Sequence, residues 1–140
     1  MPITKIVTMV QSEVAERMTA APNSKIYGAM SVAVQFRADC RIAFDVLPEN
    51  FLPRPEVTSS VVVWDIHAPK FKVDEKFFTK VVRAAFGQRR KTLINSLIGA
   101  GFQKNSVINA LNSAEISPER RAETLDIEEF AKISNFLNVK

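Results

Sequence analysis

A chain of 140 residues, 46% of them hydrophobic, can bury a real core and fits one ordinary domain or two small pieces of a larger one. A formal charge of +4 is compatible with a nucleic-acid partner without requiring one. The single cysteine, Cys40, excludes an internal disulfide and fits a reducing, cytoplasmic setting; with a single histidine, His67, it also leaves no His/Cys metal site. No apolar run approaches the roughly 18 residues of a membrane span, and the N-terminal residues do not read as a signal peptide.

In chain order, residues 3–10 (ITKIVTMV) are short, apolar and β-branched and predict a buried strand. Residues 11–18 switch to helix formers, with Val14 and Met18 on one face. Pro22, Asn23, Ser24 and Gly28 mark a loop. Residues 31–36 (SVAVQF) fit a strand by alternation and a helix by their alanine-rich surroundings; the helix is preferred. Ile42, Phe44 and Val46 alternate with Arg41, Ala43 and Asp45 as in a half-buried strand. Pro53 and Pro55 stiffen residues 49–57 into an extended arm. Residues 57–66 predict a strand buried on both faces along Val61–Trp64.

Past a junction at residues 67–74, every segment is helical in pattern. Phe77, Val81, Ala84 and Ala85 define one stripe, with Phe78 and Val82 beside it. Leu93, Ile94, Leu97 and Ile98 form a second helix, ended by Gly99 and Gly101. Val107, Ile108 and Leu111 mark a third. Ser117-Pro118 reads as the start of a fourth, and Asp126 with Glu129 as the capping box of a fifth. The expected division is 1–68 and 69–140. The expected class is α+β, a partial sheet followed by a small helical bundle. Three apolar strands with so little helix cannot cover both faces of their own sheet.

The charge is uneven. Residues 70–91 carry Lys70, Lys72, Lys76, Lys80, Arg83, Arg89, Arg90 and Lys91 against only Asp74 and Glu75. Lys76, Lys80 and Arg83 recur at helical spacing and share a face opposite the apolar stripe. Cations on a rigid face are what phosphate binding requires, each displacing a counterion from nucleic acid. Arg89, Arg90 and Lys91 add charge at a helix junction, beside the neutral hydrogen-bonding residues Gln88, Thr92 and Asn95. Plain solvation competes with this reading, more strongly for Lys76 and Lys80 than for the 89–91 strip.

Taken together and in this order, MVQSEVAERM, YGAMSV, FLPRPEVTSSVV, AAFGQRRKTLINSL and RRAETLDIEEFAKI resemble the ribosomal RNA adenine dimethyltransferase family. The resemblance implies a Rossmann-like methyltransferase domain that binds S-adenosylmethionine, followed by a small helical domain. The family's Gly-rich cofactor loop and Asn-x-Pro-Tyr motif have no counterpart in this sequence. It therefore implies the C-terminal half of such an enzyme: residues 1–68 as the remnant of the methyltransferase domain and 69–140 as the rRNA-binding domain. S-adenosylmethionine belongs to the intact enzyme, with no binding expected by this chain alone.

On the same basis Phe51 matches the aromatic that faces a flipped-out adenine. Physically, a base taken from its stack needs a π-face, and Pro53 and Pro55 would hold that ring. The competing reading is a core aromatic beneath the arm. Arg54, Lys76, Lys80, Arg83, Gln88, Arg89, Arg90, Lys91 and Asn95 are the candidate RNA contacts. Ile94 stands where many relatives carry arginine. Tyr27, Gly28 and Ser31 match a loop near the family's active site; Gln11, Glu13 and Arg17 match a structural helix. Arg120 and Arg121 with Glu123 read as an ion-pair staple, and Trp64 as core.

Three functions are weighed: part of an rRNA dimethyltransferase, a stand-alone non-catalytic RNA-binding module, and a protein-interaction domain. Whether the chain is itself an enzyme stays open. The expected partner is ribosomal RNA in the small subunit, with no membrane and with self-association through the uncovered sheet.

Overall fold

The structure is a computed structural model that describes residues 2–138. Met1, Val139 and Lys140, at the outer ends of the two expected units, lie outside the described residues. Strand β1 (Lys5–Gln11) leads directly into helix α1 (Ser12–Thr19). Helix α2 (Ala29–Arg37) runs straight into β2 (Ala38–Val46), and β3 (Ser59–Ile66) follows the arm. Helices α3 (Glu75–Phe86), α4 (Leu93–Gly99), α5 (Lys104–Ser113) and α6 (Ile127–Leu137) complete the chain.

The sheet has the order β1-β3-β2, and both pairings are antiparallel. The parallel crossover on which a Rossmann-like sheet is built is absent among the described residues. Hydrogen bonds tie α1 to the sheet and the Gln35 side chain of α2 to the end of α1. Ser12 N–H donates to the Thr58 carbonyl at 3.0 Å, and the Ser12 and Ser60 hydroxyls meet at 2.9 Å. The Gln35 amide donates to the carbonyls of Met18 (3.0 Å) and Ala20 (2.8 Å), at the end of α1 where helix carbonyls lack intrahelical partners. Helix wins over strand at 31–36 because Val32 and Phe36, four apart, bury together in the helical core.

One sheet face is covered: Val62 packs with Ala15 and Met18 of α1, with Trp64 and Val10 beside them. The other is not. Val7 pairs with Val63, and Met9 and Phe44 both pair with Val61, so these side chains share a face. At the two edges Val7, Met9 and Phe44 are 62%, 53% and 58% exposed. The expectation of a buried β1 and a half-buried Phe44 is therefore corrected; in the central strand, expected to be buried along Val61–Trp64, Val62 and Val63 are buried and Val61 and Trp64 only half-buried. Trp64 is half-buried, its indole N–H donating to Thr8 Oγ1 at 2.9 Å.

The main core runs from Ala20 to Ile133 and does not stop at residue 68: Tyr27, Val32 and Phe36 are part of it. Phe36 stacks on Phe78 at 4.7 Å between centroids. The buried stripe of α3 is Phe78, Val81, Val82 and Ala85, rotated from the expected one, with Phe77 and Ala84 at its margin. Each such aliphatic or aromatic side chain contributes about 1.5–3 kcal/mol when fully buried.

Residues 117–121 do not form the expected helix. The Arg120 carbonyl accepts from Leu93 N–H at 2.6 Å and the Pro118 carbonyl from Ile94 N–H at 3.4 Å. The segment serves the open start of α4 instead of closing its own turns. A 3-10 turn at Ala122–Thr124 follows. Asp126 caps α6, accepting from Glu129 N–H at 2.8 Å while Glu129 accepts from Asp126 N–H at 3.2 Å, which completes the expected capping box.

Candidate nucleic-acid interface

Helix α3 begins at Asp74, whose carboxylate accepts from Phe77 N–H at 3.2 Å. With Phe78, Val81, Val82 and Ala85 buried, helical geometry turns Lys76, Lys80 and Arg83 outward, and all three are exposed. None of them, nor Arg90 or Lys91, forms an ion pair among the described residues. The structure thus presents an unneutralised ridge along α3 that continues into the turn before α4.

That turn is not uniform. Arg89 points back into the protein: its guanidinium donates to the Lys25 carbonyl at 2.7 Å and to the Tyr27 carbonyl at 3.0 Å. All three residues of the strip are exposed, but the Arg89 fork is engaged by backbone acceptors, whereas the Arg90 and Lys91 side chains have no partner among the described residues. The Lys91 N–H donates to the Gln88 carbonyl at 3.0 Å, closing the turn that displays them.

Between α3 and α4 lies a groove of about 380 Å³ lined by Lys80, Arg83, Gly87, Gln88, Ser96, Gly99 and Phe102 among others. Lys80 Nζ sits 5.3 Å from the centre of the Phe102 ring, a cation–π contact. Ser96 donates to the Gln88 carbonyl at 3.3 Å, fixing one wall. Phe102 is placed by the end of α4. Gly101, at φ +107°, lets the Phe102 N–H reach the Leu97 carbonyl (3.2 Å) and the Gly101 N–H reach that of Ile98 (3.0 Å). This is a Schellman closure, which favours glycine at that position. Lys80, Arg83 and Gln88 of the expected set meet here. Ser96, Gly99 and Phe102 join them, although the sequence pattern marks Gly99 only as the end of a helix.

The arm is set apart from this ridge in sequence and built differently from expectation. A 3-10 turn at Pro48–Asn50 and a run of bends replace a straight extended segment. Phe51 is half-buried, Leu52 is fully exposed, and Arg54 is exposed with Glu49 at 3.9 Å. Asn95 is exposed on α4.

Several residues hold the scaffold. The Tyr27 hydroxyl donates to the Leu125 carbonyl at 2.8 Å, and burial, with Asp126 and Glu129 adding to it, pushes its phenol well above the ordinary range. Ser31 accepts from Gly28 N–H at 3.2 Å and donates to the Arg17 carbonyl. Arg120 is the staple residue, but its partner is Glu129, not Glu123. Its second nitrogen donates to Glu129 Oε1 at 3.1 Å and to the Thr124 carbonyl at 2.7 Å. Burial raises the Cys40 thiol, with Asp39 and Asp65 adding to it. No helix among the described residues is long and apolar enough to cross a membrane.

Comparison with known proteins completes the picture. A family model for ribosomal RNA adenine dimethylase matches residues 1–139. The Clostridioides difficile protein named ribosomal RNA small subunit methyltransferase A is 48% identical over 143 residues, covering 99% of this chain and 49% of that protein. Its Moorella thermoacetica namesake is 49% identical over 137 residues, covering 96% and 48%. Among solved structures, a dimethyladenosine transferase from Plasmodium falciparum superposes with a TM-score of 0.81 at 22% identity, over 93% of this chain and 55% of that one. The 23S rRNA methyltransferase ErmE does so with a TM-score of 0.61 at 18% identity, over 97% and 55%. These two show the fold. The chain spans about half the length of the curated relatives it matches. Those shares measure extent and assign it to neither end, so the expected placement in the C-terminal half is not borne out. A match that runs along nearly every residue shows that the chain belongs to the ribosomal RNA adenine dimethylase family.

Proposed function

We propose that this chain supplies the RNA-docking surface and the target-base arm of an S-adenosylmethionine-dependent rRNA adenine dimethyltransferase of the small ribosomal subunit, acting in the cytoplasm. The observation that carries the reading is the unpaired cationic ridge of Lys76, Lys80, Arg83, Arg90 and Lys91 on a closed helical core, in a chain of this family. In this reading residues 69–140 dock on structured RNA through phosphates and shape. Residues 1–68 carry the arm, on which Phe51 stacks the extruded adenine and Arg54 touches its backbone. Gln88 and Asn95 contribute neutral hydrogen bonds. Arg89 acts indirectly, holding the turn that presents its two neighbours.

The described residues do not fit the methyl donor. A nucleoside cofactor of this kind is held by a Gly-rich turn between a parallel strand and a helix, and every strand here is antiparallel. The cavity of about 330 Å³ between α2 and α3 offers one carboxylate, Glu75, already engaged by Arg37. Alone, the chain is therefore proposed to transfer no methyl group. Its uncovered face, with Val7, Met9 and Phe44 outward and both sheet edges unpaired among the described residues, favours self-association.

The test uses a chimera in which this chain replaces the matching stretch of the Clostridioides difficile relative. Methylation of small-subunit RNA by the chimera supports the reading. Phe51→Ala is then expected to lower kcat by about 5- to 150-fold, the size of one lost base-stacking contact of about 1–3 kcal/mol. The second reading, a stand-alone RNA-binding module, draws on the helical core that closes on itself between Ala20 and Ile133. A chimera that binds RNA yet never methylates it, although folded, would favour that module.

A further inference from the structure

We infer that the groove between α3 and α4 seats one phosphodiester of structured RNA, a specific pocket within the docking surface and not merely part of a diffuse positive field. The inference rests on the RNA-binding reading above and goes beyond it by assigning a site. Four observations converge on it. The groove is lined by two cations, Lys80 and Arg83, and by no carboxylate. Neither cation is neutralised by an ion pair among the described residues. Lys80, though exposed, rests its ammonium 5.3 Å from the centre of the Phe102 ring at the mouth of the groove, a contact that favours this position over others in solvent. The walls are kept low by glycine: Gly87 and Gly99 both line the opening.

The chemistry suits a phosphodiester. Arg83 offers a planar fork for two non-bridging oxygens, and Lys80 a point charge from the other side. The Gln88 amide, which lies 3.7 Å from where a Cβ on Gly99 would stand, adds a neutral donor for a phosphate or ribose oxygen. Ser96 has its hydroxyl turned to the Gln88 carbonyl, so it shapes the wall and does not meet the ligand. An anion of this size needs no base contact, consistent with recognition of RNA by backbone and shape.

Gly99 gives a test that alters no charge. A Cβ built there meets nothing closer than the far end of the Gln88 side chain at 3.7 Å, so a side chain is tolerated by the helix but extends into the groove. Binding of the chain to a fluorescently labelled stem-loop RNA would be followed by anisotropy across a salt series. Thermal melts would confirm that Gly99→Leu, Gly99→Ala and Arg83→Ala remain folded. Both Gly99→Leu and Arg83→Ala are expected to weaken binding about tenfold and to lower the slope of log affinity against log salt by about one. Gly99→Ala, with a smaller intrusion, should weaken it less. Lys132→Ala, removing a cation paired with Glu128 on α6 at 3.7 Å, sets the size of a plain charge effect.

If Gly99→Leu binds as tightly as the parent while Arg83→Ala weakens no more than Lys132→Ala, RNA binding stands and the groove is not its seat. If the parent chain shows no salt-dependent RNA binding at all, both the groove and the docking surface fall. A loss in Gly99→Leu with an unchanged salt slope would also overturn the inference, since blocking a seated phosphate must remove a counterion-releasing contact.

Discussion

In the helical half Leu93, Leu97, Val107, Leu125 and Ile133 have no solvent exposure, whereas in the sheet half Val7, Met9 and Phe44 are each more than half exposed. Both halves use similar apolar residues. What differs is the number of layers each can call on. The helices enclose one another on all sides, while the sheet has α1 and α2 on one face and nothing described on the other. An apolar side chain therefore has one meaning at Phe130 and another at Phe44, and the two regions should answer mutation differently.

The largest contrast is Phe130→Ala against Phe44→Lys. Phe130 is fully buried, its ring 5.6 Å from that of Phe86, and its truncation should cost about 3–5 kcal/mol in urea unfolding. Phe44→Lys should change stability by no more than about 0.5 kcal/mol while reducing any concentration-dependent sedimentation. Equal losses at the two sites would erase the distinction. Next in size is Arg120→Ala. It strips the Thr124 carbonyl and Glu129 Oε2 of their donor, leaves Oε1 with the Asp126 N–H alone, and should cost about 2 kcal/mol.

Smaller still is Tyr27→Phe, at about 1–2 kcal/mol for a buried carbonyl left without its donor. It also carries a pH signature. The unfolded chain releases the phenol proton near pH 10, while the folded protein keeps it because the phenol is raised by burial and by Asp126 and Glu129. Above that pH the unfolded state binds fewer protons than the folded one, so stability falls as pH rises. Tyr27→Phe should remove that share of the alkaline decline; a variant with an unchanged profile would show that the proton is not held as the structure implies.

Local signals were readable where a residue's fate is decided within a few positions. The capping box at Asp126 and Glu129 and the helical periods of α4 and α5 are of this kind. The α3 cations, too, face outward as their spacing dictates. Failures trace to partners far along the chain. Ser117-Pro118 carries the chemistry of a helix start, yet its segment is recruited by Leu93 and Ile94. Arg89 is indistinguishable by type from Arg90, and only carbonyls more than 60 residues away separate them. Likewise, Gly99 and Phe102 join Lys80 in one groove only once α3 and α4 are packed.

The mooring of Arg89 has a mechanical corollary. The two carbonyls it grips belong to the loop just before α2, and Tyr27 in that loop is itself anchored to Leu125 on the far side of the core. Any load taken up by Arg90 and Lys91 therefore passes through Arg89 into two distant stretches of chain. The backbone of the turn is thereby braced at two distant points, while the side chains of Arg90 and Lys91 stay exposed.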